Sequence, residues 1–429
     1  MNRRHFLQTT LAAGTLAALK SVAGELRTGS ILLRSSWQTV NIGDIAHTPG
    51  IVQLIQDHLP GVEVRLWPGN IGNGVEEMLR RNFPKLAFVK TADDIKAAFA
   101  ECDFMLHGSG PSVVAQAHLA RWHKETGKPF GIYGITLPAV TPKPVTAEAF
   151  ITYAPLDDGL RGLLDAAKFI YFRDTISLKG AQDAGIKCPV MEFGPDAAFG
   201  VKLRNDEAAA AFLKANGLED GKFLCAIPRL RNSPYWIMKN NNQMNETDKK
   251  KHEVNEKYRE QDHAKLREAM ITFIKETGMK VLVCPEDESH MQVGKENLID
   301  PLPENIKSKV VWREKYWLTD EAVSTYARSL GLLSMDMHSP IMAVANGIPA
   351  IHCRFWTQTV KAQMWRDIGL GEWLFDMDEE KDGSKIAAAV LAIAKDAGAA
   401  KEKVAKAMAF VRQRQKETIA TVGKQLPAK

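Results

Sequence analysis

Acids, histidines and arginines fall at the ends of apolar runs at five places in this chain, and that placement is the first sign of chemistry. Asn41-Ile42-Gly43-Asp44 follows the run ILLRSSW. Gly43 permits a tight turn, and Asp44 is placed either to accept a proton or to cap a helix. His107-Gly108-Ser109-Gly110 follows DFML, and a glycine turn there would offer exposed N–H groups to an anion or a sugar hydroxyl. Arg173 closes the run FIYF, with Asp174 and Asp196 as candidate partners. Arg229 and Arg231 close FLCAIP, giving two guanidinium groups that can grip a carboxylate or phosphate bidentately. Asp336, His338, Ser339 and Pro340 close GLLS. Ser339 suits an N-cap and Pro340 the first helical position, so a helix amino terminus would present N–H donors to an anion beside a histidine.

These residues act together only if the runs are strands of parallel sheets, where ligands bind at the carboxyl ends. From Ser30 onward apolar runs do alternate with helical patterns, which predicts an α/β fold with helix-covered parallel sheets. ILLRSSW, VEVRLWP, DFMLHG, PFGIYGI, FIYFRD and VMEFGPD are the strands of a first half, with helices over 51–58, 75–81 and 93–99. The rhythm pauses at 205–220, around Asn216-Gly217. It resumes with FLCAIP, MKVLVCP, KVVWRE and GLLSMD and helices over 264–277 and 319–328. The expected organisation is two Rossmann-like domains, 30–205 and 220–380. A polar insertion at 232–262 reads as a lid or helical arm that begins with Tyr235-Trp236. Amphipathic helices follow over 381–429 as packing struts.

A chain of 429 residues exceeds what one core organises, and 45% hydrophobic with 25% charged residues fits a globular protein. The net charge of +5 is interspersed, with no dense basic run among aromatics; this argues against nucleic acid and suits an anionic substrate. The five cysteines are scattered without a C-x-x-C pair, so no zinc or other metal site is expected. No G-x-G-x-x-G joins an early strand to its helix, which disfavours a nicotinamide dehydrogenase. The segment Asn2-Arg3-Arg4-His5-Phe6-Leu7-Gln8, an apolar stretch from Leu11 to Leu19 and the small-x-small Ser21-Val22-Ala23 resemble a twin-arginine signal. Residues 1–29 are therefore expected to engage the twin-arginine export machinery and direct a folded protein to the periplasm.

Taken in order, N-x-G-D at 41–44, HGSG at 107–110, RDTIS at 173–177, GPDAAF at 194–199, IPR at 227–229 and MHSPIMAVANGIPAI at 337–351 resemble the polysaccharide pyruvyl transferase family over nearly the whole chain. The resemblance implies two Rossmann-type domains facing across a cleft, as in B-type glycosyltransferases. It also implies phosphoenolpyruvate as donor, a polysaccharide or oligosaccharide acceptor, and no further cofactor. Two sugar hydroxyls would add to the enol carbon, forming a ketal and releasing phosphate. By carry-over, His338 stabilises the donor or acts as general acid, and Asp44 is the base. Arg229, with Arg231, Ser339 and Arg173, holds donor charge, and Asn41, Gly43, Gly108, Ser109 and Gly110 lie on the acceptor side. The family shows Arg-x-His where this chain has Asp336-Met337-His338, placing a carboxylate where a cation would face the donor, with Arg231 as the compensating charge. Asp336 and His338 acting as acid and base with a different donor is the alternative within the same scaffold. A non-catalytic glycan-binding protein is the alternative outside catalysis.

Overall fold

The computed structural model describes residues 28–137, 139–140, 152–153, 156–239 and 242–427. The twin-arginine pattern lies outside them. Two parallel sheets organise the described chain. The first contains β1 (Gly29–Arg34), β2 (Val62–Leu66), β3 (Ala87–Phe88), β4 (Phe104–His107) and β5 (Phe130–Ile135). A small antiparallel pair, β6 (Ala139–Val140) and β7 (Thr152–Tyr153), interrupts it before β8 (Ile170–Phe172) and β9 (Met191–Phe193), in the order β3-β2-β1-β4-β5-β8-β9. The second sheet contains β10 (Phe223–Ile227), β11 (Lys280–Val283), β12 (Val310–Trp312), β13 (Gly331–Ser334), β14 (Ala350–Arg354) and β15 (Leu374–Asp376), in the order β12-β11-β10-β13-β14-β15.

The central strands are apolar along their full length because helices cover both faces. Every residue of β5, β10 and β13 is buried. Strand order reverses beside β1 in one sheet and β10 in the other, so the crevices at these switch points open where β1, β4, β10 and β13 end. Three strands carried no usable pattern. β3 and β15 are short, and β14 reads AIHCR, whose His352 and Arg354 mask an otherwise buried strand.

Helix α1 (Ile42–His58) begins earlier than its apolar spacing indicates, because Asn41 caps it by accepting from the N–H groups of Gly43 and Asp44 at 2.8 and 3.0 Å. It crosses onto the other domain at once. Ile42 N–H donates to the Glu286 carbonyl (2.9 Å), Thr319 Oγ1 donates to the Ile42 carbonyl (3.0 Å), and Asn41 bridges to Asp287. Midway along, Gly50 packs on the turn after β9, where a Cβ would collide with the Ala197 carbonyl.

The expected insertion at 232–262 is not a separate arm. A short helix over Tyr235–Lys239 is followed by α2 (Glu246–Thr277), which starts with a capping box between Asn245 and Asp248 and continues past the segment into the domain. Its polar first half is anchored: Asn255 is buried and exchanges hydrogen bonds with Asn232, both at 2.8 Å. Asp262 receives Arg231. After α3 (Thr319–Tyr326), α4 (His338–Ala345) and α5 (Ser384–Lys395), the last helix, α6 (Ala397–Gly423), returns to the first domain. There Tyr133 OH pairs with Thr418 (3.0 Å), and Arg414 donates to Glu192 (2.9 Å) and the Phe193 carbonyl (2.7 Å). One apolar core accordingly runs through both domains, and a second covers the outer face of the first sheet around Leu32, Met105, Trp122 and Ile132. All five cysteines are free and buried. No helix among the described residues is long and apolar enough to cross a membrane.

Candidate active site

Two polar clusters meet where α1 touches α4. The first belongs to the amino-terminal sheet. Arg173, at the end of β8, is 1% exposed. Its Nη1 donates to Asp196 (2.7 Å) and its Nε to Thr136 (2.8 Å); Thr136 in turn donates to Asp174 (3.1 Å), which also caps the next helix through the Ser177 N–H (2.7 Å). Asp196 also meets His47 Nδ1 at 3.0 Å. Burial alone would raise the Asp196 carboxyl, but His47 and Arg173 outweigh it and hold the group well below the usual carboxylate range. Burial pushes Asp174 up to about 6, against its bonds to Ser177.

The second cluster sits at the carboxyl ends of β10, β11 and β13. Arg229 pairs with Asp336, and Lys361 Nζ lies 3.9 Å from the same carboxylate. Burial would raise Asp336, but Arg229 and then Lys361 override it, so this carboxyl is held well below its ordinary value. Behind it, Glu286 is fully buried and accepts from the Ser339 N–H (2.6 Å). Burial and the Asp336 charge push the Glu286 carboxyl well up. His338 Nδ1 is 3.5 Å from Glu286 Oε1, its ring sits edge-on to His47 with centroids 4.7 Å apart, and its Nε2 has no hydrogen-bond partner. Burial, reinforced by His47 and Lys361, holds the imidazole well below its usual range, hence neutral at pH 7.

Gly43 fixes how α1 meets this cluster. A Cβ there would overlap His338 Cβ and come within 2.6 Å of Glu286 Oε1. This close approach brings Asp44 to the cleft, partly exposed, and desolvation pushes its carboxyl up despite His47 and Lys361. Tyr235, the aromatic start of the polar segment, stands at the same rim. It is partly exposed and close enough to Asp44, Arg229, Asp287 and Asp336 to share their field. Tyr316 brings a phenol whose hydroxyl has no hydrogen-bond partner among the described residues.

Several sequence-based assignments are corrected by these contacts. The HGSG turn is closed: Gly108 N–H donates to the Arg34 carbonyl (2.8 Å) and Gly110 N–H to the Gly134 carbonyl (3.4 Å). Ser109 is fully buried and accepts from the Ala197 N–H (2.8 Å), so Gly108, Ser109 and Gly110 hold β1, β4 and β5 together and offer nothing to a ligand. Arg231 does not compensate for Asp336, because Asp262 (2.7 and 2.9 Å) and Asp378 (2.6 Å) engage it and the Tyr258 ring lies 3.7 Å away. Arg173 is held by Asp196 and Thr136. Ser339 is not an N-cap, since α4 begins at His338; its hydroxyl bonds Tyr326 (3.1 Å). Two donors at the start of α4 are already occupied, Met337 N–H by Asp336 (2.8 Å) and Ser339 N–H by Glu286, so protein carboxyls stand where an anion was expected. Asn41 is a cap that also joins the domains.

Glu286, Asp287, His290, His47, Tyr316 and Lys361 were missed. Glu286 to His290 directly follow MKVLVCP, so the strand-end rule that selected the other segments would have found them. Lys361 carries no such signal, as it arrives from a loop beyond β14.

Three groups of these side chains have the composition of metal ligands: His47, Asp196 and His338; Glu286, Asp336 and His338; Asp287, His290 and Asp336. Protein cations already neutralise Asp196 and Asp336. His290 Nδ1 accepts from the Glu286 and Asp287 N–H groups (3.2 and 3.4 Å), which puts its proton on Nε2, 3.3 Å from Asp287. The lone pair a metal would need there is absent.

The two-sheet architecture is shared with solved structures at low identity. UGT71G1 of Medicago truncatula complexed with UDP-glucose aligns with TM-score 0.54 and 10% identity, covering 92% of this chain and 98% of that one. UDP-GlcNAc 2-epimerase from Neisseria meningitidis bound to UDP-GlcNAc aligns with TM-score 0.53 and 10% identity over 92% and 100%. Alr3699/HepE of Anabaena in complex with UDP and glucose gives 0.51 and 11% over 93% and 100%. These likenesses show the fold, two Rossmann-like domains in the B-type glycosyltransferase arrangement, and nothing of the substrate. No curated protein matches the chain. The family model for polysaccharide pyruvyl transferase matches residues 41–354, from the Asn41 cap to the end of β14, and the chain accordingly belongs to that family of glycan-modifying transferases.

Proposed function

We propose that the protein transfers a pyruvyl group from phosphoenolpyruvate to two hydroxyls of a glycan, forming a ketal and releasing phosphate. The observation that carries this reading is the convergence of Asp44, Arg229 and His338 on one interdomain cleft inside the family match. Charge state assigns the proton steps. A neutral, buried His338 with a free Nε2 suits the base that takes the hydroxyl proton, while the Asp44 carboxyl, pushed up, suits the acid that protonates the methylene carbon. This reverses the roles implied by resemblance. The acceptor oxygen bonds to the enol carbon as that proton arrives; the second hydroxyl then gives its proton to the ionised Asp44 carboxylate as it bonds to the same carbon, and the carbon–oxygen bond to phosphate breaks with the proton on His338 passing to the leaving phosphate.

Asp336 favours a second reading, in which the donor is a different anion with less charge than phosphoenolpyruvate. Phosphate release and acceptor mass distinguish the two. Incubation with phosphoenolpyruvate and a panel of oligosaccharides is expected to release phosphate and yield a ketal, and both should vanish in His338→Gln. Phosphoenolpyruvate binding without either product across the panel would sink the transfer.

The amino-terminal pattern supports export by the twin-arginine route to the periplasm. A reporter carrying residues 1–29 should be exported in a manner that depends on both arginines; cytoplasmic retention would remove this part of the proposal.

A further inference from the structure

Position 336 poses a charge problem that the surrounding side chains resolve. The carboxylate at the end of β13 faces a cleft that has to accept an anion, and its Arg229 partner has one edge turned onto it. A second cation stands by. Lys361 is carried on the segment following β14, which is pinned at three successive residues: Trp356 N–H donates to Asp378 (3.0 Å), Thr357 Oγ1 to the Arg231 carbonyl (2.7 Å), and Gln358 Nε2 to the Met335 carbonyl (2.5 Å). The next residue, Thr359, holds φ 62° and ψ −154°, a conformation that a β-branched residue adopts only under constraint. The pinned strand end and the strained residue together direct the following lysine inward.

Lys361 itself is unlike the other cations of the region. Arg231 has all three guanidinium nitrogens on carboxylates, and Arg173 donates to Asp196 and Thr136. Lys361 Nζ makes no hydrogen bond among the described residues, and its nearest carboxylate oxygen, on Asp336, is 3.9 Å away. Its side chain is 13% exposed, so three N–H donors face a narrow opening. Arg229 Nε is also buried without a partner. Two cations, Arg229 and Lys361, thus flank the Asp336 carboxylate at the end of β13, with Asp287 the next acid that acts on Arg229.

We propose that Lys361 is the anion-binding residue of this cleft, gripping a carboxylate or phosphate group of the donor from the β14 side, with Asp336 holding the ammonium in place until the ligand arrives. The inference deepens the pyruvyl-transfer reading by naming the residue that receives the donor, and it makes a different prediction from that reading. Binding replaces a long contact to Asp336 with direct charge-assisted hydrogen bonds to the ligand. No step of the transfer chemistry is assigned to Lys361.

The test is calorimetric titration of the full chain and its variants with phosphoenolpyruvate, pyruvate and inorganic phosphate, the last two separating the carboxylate from the phosphate as the group held. Lys361→Gln should weaken the best of the three by about tenfold or more, with Lys361→Arg recovering most of the loss. Asp336→Asn, which releases both cations, should tighten binding several-fold. Unchanged thermal unfolding of Lys361→Gln shows that the fold is intact. If that variant destabilises the chain, the sign of the Asp336→Asn effect decides instead, and weaker binding there overturns the proposal. Wild-type affinity in Lys361→Gln, or no binding of any of the three anions by the wild type at millimolar concentration, also overturns it. Binding of pyruvate or phosphate but not phosphoenolpyruvate, lost in Lys361→Gln, upholds Lys361 and sinks the pyruvyl transfer.

Discussion

The cluster around Arg173 and the cluster around Arg229 use the same residue types at equivalent places, yet they do different things. In the amino-terminal domain Arg173, Asp196, Thr136 and Asp174 form a closed set in which the Arg173 and Asp196 groups bond one another and their neighbours. In the carboxyl-terminal domain His338 Nε2, Arg229 Nε and the Lys361 ammonium lack hydrogen-bond partners, Tyr235 and Lys361 reach solvent, and so does Asp44, which α1 brings in from the first domain. The difference teaches that clusters of similar residue types can differ in how many of their groups are satisfied; in the first cluster it is His47 Nε2, beside His338, that lacks a partner. A buried polar group without a partner costs about 1–3 kcal/mol, which a protein sustains where a ligand completes the bonding.

Substitutions on either side can break this contrast. The largest expected effect is on turnover: His338→Gln should lower product formation by about 10²–10⁴-fold while moving the urea midpoint little, because only a proton-transfer group is lost. Retained turnover would return His338 to the scaffold. Arg231→Met should do the reverse. It leaves Asp262 and Asp378 without their partner and should cost about 3–5 kcal/mol in chemical denaturation, with the anion affinity of surviving folded protein unchanged. A specific loss of donor affinity at full stability would make Arg231 a binding residue after all.

Gly43→Ala tests the seam between the clusters. The added methyl meets His338 and Glu286, and overpacking of this kind costs about 1–3 kcal/mol. A crystal structure of the variant should show α1 displaced from α4, and calorimetry should show weaker anion binding. An unshifted helix would mean that the contact is loose.

The effect least tied to the two clusters concerns pH, and for any single histidine it is small. Burial lowers His107 and His263 to about 4 and His352 to about 3, so the fold keeps all three neutral under conditions where the unfolded chain, near 6.5, takes up protons. Their contribution is present above about pH 6.5 and is lost as pH falls toward 4. Each should cost about 1–2 kcal/mol between about pH 7 and pH 5, read from urea midpoints, and replacing His352 by Gln should flatten the slope. Asp174, raised to about 6, works in the opposite sense: its protonated form favours the fold as pH falls through 6 toward 4. A stability that rises on acidification would show that the raised carboxyls, Asp174 with Glu286 and Asp44, outweigh the three histidines.

Much of the architecture was legible in the order of apolar runs, since a buried parallel strand has to be apolar on both faces and a helix has to cross between strands. The runs that failed were those with polar insertions, such as His352 and Arg354 in β14, where burial was decided by neighbours and not by the residues themselves. The long polar stretch before Asp262 misled for the opposite reason. Its charges read as a lid or helical arm, and it is helical, but a capping box and the Asn255–Asn232 pair make it the anchored first half of α2.

What the sequence by itself determined is the alternation that builds two parallel sheets, the family motifs in their order, and the strand ends at which Asp44, Arg229, Asp336 and His338 emerge. These are local properties, set by periodicity and by which residues follow each strand. Only the tertiary structure decided that Arg231 is saturated and Arg173 held by Asp196, that protein carboxyls occupy the start of α4, that α1 meets His338 through Gly43, and that Lys361 approaches Asp336. Hydrogen-bond satisfaction and desolvation depend on groups far apart in the chain, and no local pattern encodes which donors the fold leaves without an acceptor.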